Sequence, residues 1–155
     1  PRRRRGLPAR SEDHGTVRMK SVYQGLEALY AGWRLPGDLA ALGLPGIRKH
    51  YAALSARFGY TVDVPEATVN VLGYQLLNQK RVNEAIEVFR ANIQLFPDSA
   101  NVYDSLGEAL EQAGKLEEAR LNYEKAVTRA EPAKDPNLAV FRQHLGAVEA
   151  KLKGK

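Results

Sequence analysis

The chain has 155 residues, carries 23 Lys and Arg against 18 Asp and Glu, and contains no cysteine. Its length and its 44% hydrophobic content are those of a soluble globular chain of one domain or two small units. These values exclude disorder throughout, collagen, disulfide scaffolds and thiol chemistry. No apolar run approaches the roughly 20 residues needed to cross a bilayer, so we expect no membrane span.

The formal net charge of +5 resides in the first ten residues. Residues 1–10 contain five Arg and no acid, so residues 11–155 carry 18 basic (23 minus 5) and 18 acidic side chains. Because the Arg run is flanked by Pro and Gly and has no apolar periodicity, it predicts a disordered tail. The alternative is a nucleic-acid-binding arm, which the electrically balanced remainder of the chain disfavours.

Residues 11–36 contain a polar loop around His14 and then a helix predicted over 17–33. One apolar stripe at helical spacing supports this helix. The stripe consists of Val22, Leu26, Leu29 and Trp33. We expect it either to fold back on the next helix or to stay exposed as an apolar patch. Residues 37–46 are rich in Gly and Pro and predict a linker with a short turn at Asp38–Leu42.

Residues 47–155 are predicted to form one helical unit. A stripe over 47–58 predicts a helix that ends at Gly59, and residues 136–152 predict a final helix. The apolar positions of these two helices are Ile47, Tyr51, Leu54 and Phe58, then Leu138, Phe141, Leu145, Val148 and Leu152. Between them, residues 66–99 and 100–133 align without a gap at a period of 34.

Each 34-residue unit is predicted to be a pair of amphipathic helices, near 66–79 with 83–96 and near 100–113 with 117–130. Gly73 and Gly107 fall in mid-helix, where glycine costs about 1 kcal/mol relative to alanine. We therefore expect the paired helix to approach closely there, at its small residues Ala85 and Ala119. The expected fold is all-α, with two repeats between flanking helices and residues 136–152 capping the last apolar face.

The repeats resemble the tetratricopeptide repeat, whose 34-residue unit carries Leu-Gly, a later Ala, an aromatic residue and a terminal Pro. These residues stand here as Leu72-Gly73, Ala85, Phe89 and Pro97, and again as Leu106-Gly107, Ala119, Tyr123 and Pro132, the last displaced by one position. The resemblance implies an α-solenoid that docks a protein or peptide in a groove lined by the first helix of each pair. The groove positions that it implies are Asn70, Tyr74, Leu77, Asn78, Asn101, Asp104, Glu108, Glu111 and Gln112.

These groove positions lack the Lys and Arg of grooves that hold a peptide's C-terminal carboxylate. A basic or amide-rich peptide is therefore the expected ligand, and a purely structural role for the repeats is the alternative. His50 and His144 are predicted on helices without an acidic or histidine partner at ligand spacing, so no metal and no cofactor is expected. Glu108, Glu111, Glu117 and Glu118 are predicted on solvated helix faces.

A second resemblance concerns the segment before the repeats. Asp13-His14-Gly15-Thr16-Val17, Tyr23-Gln24-Gly25-Leu26 and Gly32-Trp33-Arg34-Leu35-Pro36 resemble the C-terminal end of the putative-esterase family. These are α/β-hydrolases related to siderophore (enterochelin-type) esterases, some of which continue into a tetratricopeptide tail. The resemblance implies that residues 11–36 are a hydrolase remnant and that His14 is the general base of a serine triad.

The chain alone does not complete such a triad. It contains no Gly-x-Ser-x-Gly elbow, and in that family the serine and the acid come before the histidine. We therefore expect an interaction or docking module that forms the tail of an esterase and contacts its own hydrolase domain or another protein. The alternative is part of an active carboxylic-ester hydrolase whose serine and acid come from a further N-terminal region.

Overall fold

The computed structural model describes residues 22–24, 26, 30, 32–35 and 37–154. The chain divides into two compact units, Pro1–Arg34 and Leu35–Lys155, and in the described residues all regular structure is helical. The Arg run of residues 1–10, His14 and Leu29 lie outside the described residues. Within the described ranges, no helix is both long enough and apolar enough to cross a membrane.

In the first unit, residues 22–24, 26 and 30 are helical, as the sequence predicts for this part of 17–33. The described members of its apolar stripe are exposed, with Val22 at 63%, Leu26 at 49% and Trp33 at 39%. The Trp33 N–H donates to the Tyr30 carbonyl at 3.0 Å, and the two rings meet edge to face with centroids 6.2 Å apart.

The second unit consists of six helices in the described residues. They are α1 Leu39–Phe58, α2 Glu66–Asn78, α3 Val82–Leu95, α4 Ala100–Gln112, α5 Leu116–Ala133 and α6 Leu138–Lys153. Each helix packs against the next one in the chain. In addition, α2 contacts α4, and α4 contacts α6. This arrangement confirms the two predicted helix pairs and the capping helix, and it is that of a helical repeat stack.

Helix α1 begins at Leu39 rather than at 47, so residues 39–46 of the predicted linker belong to the helical unit. Gly43 interrupts the helix with φ 67° and ψ 170°, a conformation that L side chains rarely adopt. The turn before it is not a loose connection, because Leu39 and Ala40 are buried in the core. The sequence showed the Gly and Pro punctuation but gave no sign of this burial.

The side chain of Gln75, on α2, holds the start of α1. Its Oε1 accepts hydrogen bonds from the Leu39 N–H at 2.8 Å and the Ala40 N–H at 3.1 Å, and its Nε2 donates to the Gly37 carbonyl at 2.9 Å. Asp38 Oδ1 accepts from the Ala41 N–H at 3.1 Å. The first amides of a helix lack partners within the helix, so these side chains replace water there and fix the segment to the first repeat.

The mid-helix glycines lie against aromatic rings of the paired helix. A Cβ atom on Gly73 would lie 2.4 Å from the Phe89 ring, and one on Gly107 would lie 2.5 Å from the Tyr123 ring. The expected close approach is therefore present, but the partner is the aromatic side chain and not Ala85 or Ala119. The large ring needs the space that a missing side chain leaves, because a protein core is closely packed.

Helix α5 continues to Ala133, three residues beyond its predicted end, and includes Pro132 in its last turn. Lys134 follows in the left-handed conformation with φ 51°. Helix α6 then buries Phe141 and Val148, while the other apolar positions of its stripe are half-buried. The predicted core-facing stripe of the capping helix is thus confirmed.

Candidate protein-interaction face

Helices α2, α4 and α6 lie side by side, and polar side chains connect each of them to the next. We call this connected surface the inner face. It is formed by α2 and α4, the helices that the sequence predicts to line a peptide groove, together with the capping helix α6. The described contacts allow each predicted groove residue to be placed as buried in the core, paired with a neighbouring helix, or exposed.

Tyr74 connects α2 with α4. Its hydroxyl donates to Glu108 Oε1 at 2.9 Å, and its oxygen lies 3.2 Å from Ser105 Oγ. Burial and the neighbouring charge of Glu108 raise the pKa of Tyr74, so the phenol keeps its proton and remains a donor. A second link joins the same helices, because Asn101 Nδ2 donates to Glu66 Oε1 at 2.9 Å.

Asp104 and His144 connect α4 with α6. The His144 Nδ1 lies 2.9 Å from one carboxylate oxygen of Asp104 and 3.1 Å from the other. Asp104 is only 5% exposed, and this burial raises its pKa, although the hydrogen bond and charge of His144 oppose the change. No acid stands at ligand spacing from His144 within its own helix, and its partner instead stands 40 residues earlier on another helix.

Glu111 connects α4 with both helices that follow it. It accepts a hydrogen bond from the Tyr123 hydroxyl at 3.0 Å and forms an ion pair with Lys151 on α6. Partial burial would raise the pKa of Glu111, but the donors Lys151 and Tyr123 outweigh it and keep the pKa below its usual value. The prediction of a solvated carboxylate is wrong for both Glu111 and Glu108, which are half-buried and hydrogen-bonded to tyrosines of neighbouring helices.

The remaining predicted groove residues differ in exposure. Leu77 is 4% exposed and belongs to the apolar core, whereas Asn78 and Gln112 are exposed. Asn70 is half-buried, and its Oδ1 has no hydrogen-bond partner among the described residues. Leu77 is therefore unavailable to a ligand, while the exposed amides and Glu108 can contact one.

The sequence interpretation missed Ser105, Tyr123, His144 and Lys151 as parts of this face. One signal was present for Tyr123. It stands 34 residues after Phe89 and differs from it by one hydroxyl group, and a buried hydroxyl requires a hydrogen-bond partner. The 34-residue period does not predict which residues of α4 face His144 and Lys151 of α6. The reason is that α6 begins 38 residues after the start of α4 at Ala100, and not 34.

The charge of the inner face is negative. Its connected side chains include four carboxylates and two basic groups. The carboxylates are those of Glu66, Asp104, Glu108 and Glu111, and the basic groups are the Lys151 ammonium and the His144 imidazole. Among the described residues, the ligand atoms of Asp104, Glu108 and His144 also lie within 4.8 Å of one another, a separation that a metal ion could bridge. The face therefore offers acceptors to a cationic partner.

The 34-residue helix pairs, each with a glycine beneath an aromatic ring, define the chain's second unit as a helical repeat protein. Residues 63–131 match the family model of the tetratricopeptide repeat. No curated protein matches the chain. The predicted tetratricopeptide region is thereby confirmed over this segment, and the match supports a helical protein-interaction module. The resemblance of the preceding segment to esterases stays a prediction.

Proposed function

We propose that the repeat unit binds a basic or amide-rich peptide segment of a partner protein across the inner face. The observation that carries this proposal is the excess of carboxylates over cationic side chains on α2, α4 and α6. A bound Lys or Arg would meet complementary charge there, and charge-assisted hydrogen bonds are stronger than neutral ones. An acidic peptide or a C-terminal carboxylate would meet charge of its own sign.

Glu108 is the carboxylate that we expect a ligand to contact first. Asp104 is buried against His144, and Glu111 already holds Tyr123 and Lys151. Glu108 is only half-buried, and the hydroxyl of Tyr74 orients it through one oxygen. The exposed amides of Asn78 and Gln112, at the ends of α2 and α4, supply both donors and acceptors for a peptide backbone.

The test compares two synthetic peptides of equal length, one containing Lys, Arg and Asn and the other containing Asp, Glu and Asn. We expect fluorescence anisotropy in EDTA-containing buffer to detect binding of the basic peptide alone. Glu108→Gln should weaken that binding about tenfold, the loss expected when one charge-assisted hydrogen bond becomes neutral. Asp98→Asn is the matched control, because it removes the same charge from an exposed residue between α3 and α4.

Two results would contradict the proposal. Equal binding of the two peptides would show that the charge of the inner face does not select the ligand. Equal weakening by Glu108→Gln and Asp98→Asn would show that only the overall charge matters, since electrostatic attraction at a distance does not depend on which carboxylate is removed. Binding of the basic peptide to the wild-type chain at two salt concentrations measures this long-range attraction, because salt screens it.

We also propose, as a separate point, that this unit is the tail of an α/β-hydrolase esterase. The support is the resemblance of residues 13–17, 23–26 and 32–36 to that family, together with the tetratricopeptide match at 63–131. In such a parent His14, which lies outside the described residues, would serve as the triad base.

A chromogenic short-chain ester tests this second proposal. The chain should be inactive alone, whereas a protein that also contains the preceding hydrolase region should be active and should lose activity in His14→Ala. Coding sequence upstream of Pro1 that lacks a Gly-x-Ser-x-Gly elbow would contradict it.

A further inference from the structure

The geometry points to a site for a divalent transition-metal ion of the zinc class, formed by Asp104 and Glu108 of α4 and His144 of α6. This inference goes beyond peptide binding and concerns the junction between the second repeat and the capping helix. It rests on three ligands of two types that suit zinc, a carboxylate oxygen from each acid and an imidazole nitrogen, with one atom of each within 4.8 Å of the others.

The backbone fixes two of the three ligands on one side of a helix. Asp104 and Glu108 are four residues apart on α4, and side chains at that spacing lie one above the other. His144 reaches them from α6, with its Nδ1 2.9 and 3.1 Å from the oxygens of Asp104. In a tetrahedral site with bonds near 2.0–2.2 Å, neighbouring ligand atoms are about 3.3–3.6 Å apart, so small side-chain shifts suffice.

Further residues orient the proposed ligands. The Tyr74 hydroxyl donates to Glu108 Oε1, which leaves the other carboxylate oxygen to face the ion. The ring of Tyr123 lies against that of His144, with centroids 5.5 Å apart. Outer contacts of this kind hold ligand side chains in place, and their loss typically weakens metal affinity 10- to 100-fold. Because Glu108 and His144 are half-buried and not enclosed, water can occupy the fourth position.

Metal binding would replace the hydrogen bond between His144 and Asp104 by two bonds to the ion. The imidazole must present a lone pair at Nδ1, so the proton at that nitrogen leaves or the ring adopts the Nε2–H tautomer. The ion would then join α4 to α6 directly. An ion that binds the folded chain and not the unfolded chain raises the unfolding temperature, so the site would stabilise the capping helix on the last repeat.

The experiment titrates the metal-free full chain with Zn²⁺ by calorimetry and follows thermal unfolding with and without the ion. We expect one equivalent of zinc to bind, with a rise of several degrees in Tm, and no such rise with Mg²⁺. Co²⁺ in place of Zn²⁺ should give the visible absorption of a four- or five-coordinate site. His144→Gln should weaken zinc binding at least 100-fold, whereas His50→Gln, which changes the described histidine of α1, should leave it unchanged.

Two more variants keep the inference open to refutation if His144→Gln fails to fold. Glu108→Gln leaves the pair of Asp104 and His144 intact, and it should abolish the zinc-dependent rise in Tm. Tyr74→Phe should weaken zinc binding about tenfold while keeping one equivalent. The inference is overturned if the wild-type chain shows no zinc-dependent shift, or if His144→Gln and Glu108→Gln retain it. Since the peptide experiment is done in EDTA, the two proposals fail independently.

Discussion

The two repeats, residues 66–99 and 100–133, share their framework and differ where they meet other helices. Both place a glycine beneath an aromatic ring, Gly73 under Phe89 and Gly107 under Tyr123. They differ at Gln75, whose side chain caps the start of α1. The equivalent residue of repeat 2, Ala109, is buried in the core and caps no helix. Contacts within a helix pair therefore fix the shared positions, and the neighbours of each pair fix the variable ones.

A second difference shows two positions changing together. Repeat 1 has Phe89 and Leu77, both buried in the same apolar cluster. Repeat 2 has Tyr123 and Glu111 at the equivalent positions, and they are joined by a 3.0 Å hydrogen bond. The added hydroxyl and the added carboxylate satisfy each other, since a buried polar group without a partner is costly. In repeat 2, the two polar groups that replace apolar ones at these positions therefore form a matched pair.

The largest expected effect tests whether the shared framework contributes equally in both repeats. Leu72→Ala and Leu106→Ala should each lower the free energy of unfolding by about 2–5 kcal/mol, because both side chains are buried and their removal leaves a cavity. Denaturant unfolding measures this loss. Leu121→Ala, at a 47% exposed position of α5, is the control and should change stability by no more than about 0.5 kcal/mol. A large effect in only one repeat would show that the two cores are not equivalent.

The next effect concerns the glycines. Gly73→Ala and Gly107→Ala should each cost about 1–3 kcal/mol, because the new Cβ overlaps the Phe89 or Tyr123 ring. Gly146→Ala on α6 is the matched control, since nothing lies within 4 Å of its added Cβ. That change should stabilise the chain by about 1 kcal/mol through helix propensity. If all three variants move in the same direction by thermal unfolding, ring packing is not the reason for the two glycines.

The cap supplied by Gln75 distinguishes the two repeats directly. Gln75→Ala copies Ala109 of repeat 2 and should cost about 0.5–2 kcal/mol, because the amides of Leu39 and Ala40 lose their acceptor. Hydrogen exchange at these two amides should accelerate more than exchange elsewhere in α1. Gln94→Ala, an exposed glutamine on α3, should leave both readouts unchanged.

The smallest effect concerns the second residue after the end of α2 and of α4. Lys80 and Gly114 occupy equivalent left-handed positions, with φ 63° and φ 74°, and both N–H groups bond to the carbonyl three residues earlier at 2.9 Å. Lys80→Gly should stabilise the chain by about 0.5–1 kcal/mol, and Gly114→Lys should destabilise it by a similar amount. Calorimetric Tm values that do not move in opposite directions would contradict the equivalence of these two turns.

Much of the fold could be predicted from the sequence, because helices and their apolar faces depend on residue spacing within one segment. The stripes placed α2 to α6 close to their observed ends. The start of α1 could not be predicted, since Leu39 and Ala40 are ordered by Gln75, which stands 36 and 35 residues later. The local sequence there mixes helix formers, at residues 39–42, with the breakers Gly37, Gly43, Pro45 and Gly46.

Features of the inner face can likewise be separated into those that the sequence predicts and those that only the tertiary structure shows. The sequence by itself determined the repeat and its two helix pairs, because these follow from periodicity. Only the tertiary structure decided that Asp104 pairs with His144 and Glu111 with Lys151, each across 40 residues. Such pairs depend on which helices become neighbours and at what offset. The offset of α6 departs from the 34-residue period, so no spacing in the chain encodes those contacts.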